Sequence, residues 1–134
     1  MESKKKLFST AWKSSIQRRK QRKYKYQAPL HIKQKIMQAH LSKELRKKYG
    51  WRNISIRKGD TIKVMRGKFA NHEGKVNSIN LKRERVFVDG VESLKKDGTK
   101  VLFPLYASNL LVLQLDLGDK KRKKKLESKM KGAK

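Results

Sequence analysis

Residues 57–90, RKGDTIKVMRGKFANHEGKVNSINLKRERVFVDG, constrain the fold more than any other stretch of this chain. Apolar and charged residues alternate there with a period near two, the period of a half-buried strand. Glycines stand at 59, 67, 74 and 90, where such strands would have to turn. The segment therefore predicts a compact set of short strands whose turns are loaded with Lys and Arg. A basic loop on a rigid β scaffold suits a polyanion.

The flanks extend this pattern. Residues 61–65 read as a strand with Ile62 and Val64 on one face, and residues 75–81 and 85–88 as two more, joined by a tight turn at Lys82-Arg83-Glu84. Asp89-Gly90 signals a turn, Asp97-Gly98 another between strands at 91–95 and 100–103, and residues 110–115 a final strand. Five or six short strands with little helix between them predict a mainly β fold built on a small antiparallel barrel. Upstream, Pro29 can start a helix, and Ile32, Ile36, Met37 and Leu41 form a helical apolar stripe. Ser42 can cap a second short helix over residues 43–49, with Gly50 as its left-handed C-cap. The expected organisation is a basic extended arm (1–28), a short helical segment (29–52), a barrel (53–117) and a basic tail (118–134). Met37, Met65, Phe87 and Leu111 read as core.

The chain of 134 residues carries 38 Lys and Arg against 11 Asp and Glu, a net charge of +27. Such a balance implies a polyanionic partner. The charge is uneven. Residues 1–52 hold 17 basic and 2 acidic groups, residues 53–117 hold 12 and 7, and residues 118–134 hold 9 and 2. Cysteine is absent, which excludes disulfides and thiolate metal sites. The longest apolar run, residues 110–113, falls far short of the roughly 20 residues that cross a bilayer, so no membrane insertion is expected. No secretory signal is recognisable, and the basic character persists beyond any transit-peptide cleavage site.

The sharpest candidate for chemistry is the loop over residues 66–75. Gly67 and Gly74 allow close backbone approach to a ligand, and Asn71 tolerates the left-handed region. Arg66, Lys68 and Lys75 can neutralise phosphates, and exposed backbone N–H groups can donate to phosphate oxygens. Taken alone, the loop fits an ordinary hairpin with solvated charges equally well. The net charge of the chain favours nucleic acid. A second candidate is the arm containing Arg18, Arg19, Lys20, Arg22, Lys23, Tyr24, Lys25 and Tyr26, whose tyrosines could stack on unpaired bases. Trp12, Tyr24 and Tyr26 have no evident core of their own to enter. The run Lys120-Lys121-Arg122-Lys123-Lys124-Lys125 lacks aromatics and reads as a sequence-independent phosphate contact or a disordered end.

His31, His40 and His72 have no second ligand at metal-binding spacing. Helix packing or capping accounts for the first two, and His72 lies in the loop where RNA could be touched. No nucleophile–base–acid arrangement and no Walker loop is visible, so neither an enzyme, a cofactor nor a small-molecule substrate is expected.

Gly59-Asp60-Thr61-Ile62-Lys63-Val64-Met65-Arg66-Gly67, followed by Glu73-Gly74-Lys75-Val76, resembles the KOW motif. That motif occurs in a universal large-subunit ribosomal protein family, in transcription elongation factors and in a few other ribosomal proteins. Ala28-Pro29-Leu30-His31 and Ala39-His40-Leu41-Ser42-Lys43-Glu44-Leu45-Arg46-Lys47-Lys48-Tyr49-Gly50 resemble the segment that precedes the motif in the first of these. Lys96-Asp97-Gly98-Thr99 and Ala107-Ser108-Asn109-Leu110 resemble the segment beyond the motif. The likeness spans about residues 18–122 and is closer to archaeal than to eukaryotic members. It implies an SH3-like barrel that binds the 5′ part of large-subunit ribosomal RNA early in assembly. It also implies neighbouring ribosomal proteins as partners, a cytoplasmic location in the ribosome, and a place beside the polypeptide exit tunnel. On the reading of the residues themselves, the expected RNA contacts are the arm residues above, Arg66, Gly67, Lys68, Asn71, His72 and Lys75 of the loop, and Lys82, Arg83 and Arg85 of the turn after β-periodic residues 75–81. Asn71 stands where the family commonly has glycine.

The rival readings are weaker. A KOW-type transcription factor would need a polymerase-binding α/β domain, for which residues 1–56 are too short and too basic. A DNA-compacting protein would need a groove-reading motif, and a membrane-surface role a lipidation signal or a broad amphipathic helix.

Overall fold

The computed structural model of the chain describes residues 7–131. Its regular elements, in chain order, are α1 (Arg18–Gln27), α2 (Leu30–Ile36), β1 (Gln38–Leu41), α3 (Lys43–Tyr49), β2 (Asn53–Ser55), β3 (Thr61–Val64), β4 (Glu73–Asn80), β5 (Arg85–Val88), β6 (Glu92–Leu94), β7 (Lys100–Leu102), β8 (Leu110–Gln114) and α4 (Lys120–Lys131). Short 3-10 turns lie at Thr10–Ser14 and Ala107–Asn109.

The period-two pattern of residues 57–90 produces three consecutive antiparallel strands. On β3 and β5 alternate residues are buried: Ile62 and Val64, then Val86 and Val88, each with 0 % exposure. Pairing of Ile62 with Gly74 and of Ile79 with Val86 sets the register that keeps these faces together. The last strand, β8, pairs antiparallel with β3, so Ile62 faces Val112. Six strands form one sheet in the order β2-β1-β8-β3-β4-β5, while β6 and β7 form a separate hairpin. A single bridge, Val86 to Leu105, ties the segment after that hairpin back to β5. The six-stranded ladder has two ends, β2 and β5, so the hydrogen-bonded sheet does not close on itself.

Between Pro29 and Gly50 the structure departs from a continuous helical stripe. Pro29 precedes α2, and Ser42 caps α3 by accepting from the Leu45 N–H at 3.3 Å. Gly50 takes φ +65 and donates its N–H to Arg46, the left-handed C-cap expected from sequence. Residues 38–41, however, form strand β1, running parallel to β8 with His40 opposite Leu111. Ala39 and Leu41 are buried at 1 % and 0 % while His40 is exposed. A strand partner about 70 residues along the chain overrides the local helical spacing.

Two further expectations are corrected. The arm and the tail are not extended: residues 18–27 and 120–131 are helical. Met65 is not core but 54 % exposed, because β3 ends at Val64 and the chain turns away. Phe87 and Leu111 are half-buried, and Met37 is buried.

Helix α4 is held by burial that its charge run conceals. Leu126 is 2 % exposed and Arg122 5 %. Asp119 caps the helix by accepting from the Lys121 N–H at 2.8 Å, and its other oxygen pairs with Arg57. Lys125 Nζ lies 5.6 Å from the centre of the Trp51 ring, within cation–π range.

Candidate nucleic-acid interface

The loop between β3 and β4 is closed on itself by backbone hydrogen bonds. The Asn71 N–H donates to Val64 at 2.8 Å, and the Val64 N–H donates to His72 at 2.9 Å. Ala70 donates to Gly67, and His72 to Phe69, both at 3.1 Å. The fold requires φ +67 at Asn71 and φ +96 at Gly67. Asparagine is among the few non-glycine residues that occupy this region readily, so the turn is made without glycine at 71.

His72 has a structural task within the loop. Its Nε2–H donates to the Asp89 carbonyl at 3.1 Å, joining the loop to the turn after β5. A Cβ placed on Gly90 would stand 2.8 Å from that same nitrogen, and one on Gly74 would stand 2.6 Å from the Asp89 carbonyl oxygen. Gly74 is thus required by the close approach of the Asp89 carbonyl, and Gly90 by its φ of +82 and the neighbouring His72 ring. Phe69 packs on Phe103 with ring centres 5.3 Å apart, which anchors the tip of the loop. Around this frame Arg66, Lys68 and Lys75 are exposed.

The β4–β5 turn is built similarly. Glu84 takes φ +56, and the Arg83 N–H donates to Asn80 Oδ1 at 3.0 Å. From beneath, the 8 % exposed Lys33 of α2 donates from Nζ to the Lys82 carbonyl at 2.9 Å. Lys82 and Arg83 are left exposed. Arg85 is half-buried, with its guanidinium 3.5 Å from the centre of the Tyr106 ring. That stacking occupies one face of the group the sequence assigned to RNA.

The 66–75 loop and the 82–85 turn do not form one patch. They lie at opposite ends of the eight-residue strand β4, a separation on the order of 20 Å.

The arm is organised by aromatics. Phe8 stacks on Tyr24 with ring centres 5.4 Å apart and meets Trp12 edge-on at 6.4 Å. Gln21 Nε2 donates to the carbonyls of Lys13 and Ser15, both at 2.7 Å. These contacts turn residues 7–27 back on themselves and hold α1 despite six basic residues and no acidic ones. Tyr24 is half-buried in the cluster, whereas Tyr26 is 84 % exposed. Arg18, Arg19, Lys20, Arg22, Lys23 and Lys25 are basic positions of α1, and its surface is largely exposed. Local spacing carries no sign of the cluster, because Phe8 and Tyr24 are 16 residues apart.

Two residues that the sequence reading did not place in the site, His40 (assigned to helix packing or capping) and Arg46, line one cavity with Arg66. His40 projects from β1 rather than from a helix, and Arg46 from α3, its Nε donating to the Leu41 carbonyl at 2.7 Å. Among the described residues, none of Arg66, Lys68, Lys75, Lys82 and Arg83 forms an ion pair. No group of His, Asp or Glu among the described residues is placed to hold a metal. No helix among them is long and apolar enough to cross a membrane.

The family of eukaryotic L26 and archaeal L24 ribosomal proteins matches the chain over residues 15–129. The large ribosomal subunit protein uL24 of Methanosarcina barkeri is 50% identical over 108 residues, covering 81% of this chain and 93% of the relative. The uL24 protein of Methanothrix thermoacetophila is 50% identical over 110 residues, covering 82% and 95%. The chain belongs to this family of large-subunit ribosomal proteins and is a structural, non-enzymatic component of the ribosome in the cytoplasm.

Proposed function

We propose that the chain binds the 5′ part of large-subunit ribosomal RNA early in subunit assembly and lies beside the polypeptide exit tunnel, among neighbouring ribosomal proteins. The observation that carries the RNA-binding reading is the β3–β4 loop. Its backbone is locked by internal hydrogen bonds, while Arg66, Lys68 and Lys75 are exposed without acidic partners among the described residues. A preformed cationic loop loses little entropy on meeting phosphates. In this reading the six-stranded sheet, with the segment after the β6–β7 hairpin bridged to β5, is an SH3-like barrel that serves as scaffold. Lys82 and Arg83, with Arg85 in support, contact a second RNA segment at the far end of β4. The basic face of α1 contacts a third.

Affinity comes from phosphate neutralisation and counterion release, and discrimination from RNA shape and unpaired bases. With about 6–10 phosphate contacts, affinity should fall by roughly 10³–10⁵ between 50 and 200 mM salt. The test is co-sedimentation of the full chain with large subunits, together with binding to a 5′ ribosomal RNA fragment across salt. Recovery only in the free fraction, under conditions that keep subunits intact, would defeat the assignment.

A further inference from the structure

We infer that the cleft between β1, α3, the β3–β4 loop and the Ala107–Asn109 turn is a pocket for one unstacked nucleotide of single-stranded RNA. The phosphate would lie on Arg46 and Arg66, and the base against Met65 and Leu111. The inference rests on the RNA-binding reading and adds a defined subsite to it.

Three segments far apart in sequence build this cleft, because β8 lies between β1 and β3. His40 pairs with Leu111 on one side, and Val64 with Leu110 on the other. The Met65 N–H donates to the Asn109 carbonyl at 2.7 Å and fixes the loop against the turn before β8. The resulting cavity holds about 300 Å³. That is the lower end of the roughly 300–1,000 Å³ typical of small-ligand sites. It suits one nucleotide and is too small for a stacked base pair.

The lining has the two chemistries a nucleotide carries. One wall carries the guanidinium groups of Arg46 and Arg66, with the imidazole of His40 beside them. The bond from Arg46 Nε to the Leu41 carbonyl orients the guanidinium, and its terminal N–H groups have no protein partner among the described residues. Among the described residues, no carboxylate lines the cavity. The other wall is apolar, formed by Leu111 and by Met65, which is 54 % exposed. A phosphate alone has no use for an exposed methionine beside two arginines. A base has one, since its faces are apolar and a thioether adapts to them. Ser108 at the rim adds a hydroxyl that can donate to or accept from a base edge.

The test uses the full chain with two RNA probes. One is a 5′ ribosomal RNA fragment containing unpaired loops, the other a fully paired duplex of equal length. Ser108→Trp fills the cavity without removing charge, and His40→Ala removes part of one wall. The expected result is an affinity for the loop-bearing RNA about tenfold lower in Ser108→Trp and severalfold lower in His40→Ala. Duplex affinity of Ser108→Trp should stay at the wild-type value. If both variants keep wild-type preference for the loop-bearing RNA while Arg66→Ala with Lys68→Ala weakens binding to both probes, the subsite is wrong and the RNA-binding reading stands. If the wild-type chain binds neither probe, both fail. Should Ser108→Trp lose its circular dichroism signal, His40→Ala decides: an unchanged preference overturns the subsite.

Discussion

Arg122 of α4 donates to both carboxylate oxygens of Asp60, at 2.6 and 2.7 Å, with the two side chains 4 % and 0 % exposed. The same guanidinium donates to the carbonyls of Asp116 and Ser55, and Asp60 also accepts from the backbone N–H groups of Arg57 and Asp116. One ion pair thus joins the loop before β3, the end of β8, β2 and α4. A polybasic segment that would otherwise be solvated is bolted to the sheet by an arginine that faces inward.

Removing either partner leaves a buried charge without its counter-charge. Asp60→Ala or Arg122→Ala should therefore destabilise the chain by about 3–5 kcal/mol. Urea denaturation would show this as a lowered midpoint. The double variant Asp60→Leu, Arg122→Met should recover only part of the loss, because the Arg57 and Asp116 N–H groups then lack an acceptor. Destabilisation below about 1 kcal/mol in the single variants would mean that α4 is not docked in solution.

The Arg57 side chain, through a hydrogen bond, holds the Asp119 carboxyl below its ordinary aspartate value, helped by the Lys121 N–H. A carboxyl whose value is depressed in the folded state stabilises that state above the unfolded value. The contribution is lost as pH falls through the depressed one. The attachment of the α4 N-terminus should weaken as pH drops below about 4, the ordinary aspartate range. Helicity followed by circular dichroism down to about pH 2 should show a component absent from Asp119→Asn. Equal acid profiles for the two proteins would contradict this assignment.

The two tyrosines of the arm should behave differently although they are two residues apart. Tyr24→Ala removes the ring stacked on Phe8 and should lower helicity in the arm. In a Trp51→Phe background it should also shift Trp12 fluorescence. Tyr26→Ala should leave both signals unchanged and weaken RNA binding by about 1–3 kcal/mol, the range for loss of one stacked base. Identical effects of the two substitutions would contradict the division between a packed and a contacting ring.

Arg66→Ala combined with Lys68→Ala should lower RNA affinity and reduce the salt slope by about two, with thermal unfolding nearly unchanged. The backbone bonds that shape the loop do not involve either side chain, and the substitutions remove only the exposed approach of Lys68 Nζ, 5.7 Å from the centre of the Phe69 ring. Unfolding of this variant would reveal the two residues as structural.

Much of the sheet was legible because strand periodicity and turn chemistry are local. Ile62, Val64, Val86 and Val88 announce buried faces two residues apart, and Asn71 and Gly67 mark the positions that take positive φ. Ser42 and Gly50 bracket α3 for the same reason. Residues 38–41 misled, since Met37 and Leu41 continue a helical spacing that only a distant strand partner can override. The tails misled in a different way. A dense charge run reads as solvated, and nothing local shows that Arg122 meets a buried carboxylate or that Phe8 reaches Tyr24.

By itself, the sequence determined the β core, the capped helix before it, the cationic loop and a net charge that favours a polyanionic partner. Each follows from spacing within a few residues or from net charge. Only the tertiary structure decided which charges are free to bind and which are spent on the fold. Arg122, Lys33, His72 and Arg85 have protein partners, while Arg66, Lys68, Lys82 and Arg83 have no ion-pair partner among the described residues. It also decided that His40, Arg46 and Arg66 share one cleft. The physical reason is that strand order is a long-range property: β8 enters between β1 and β3, and that placement brings residues 40–46, 65–66 and 108–111 together.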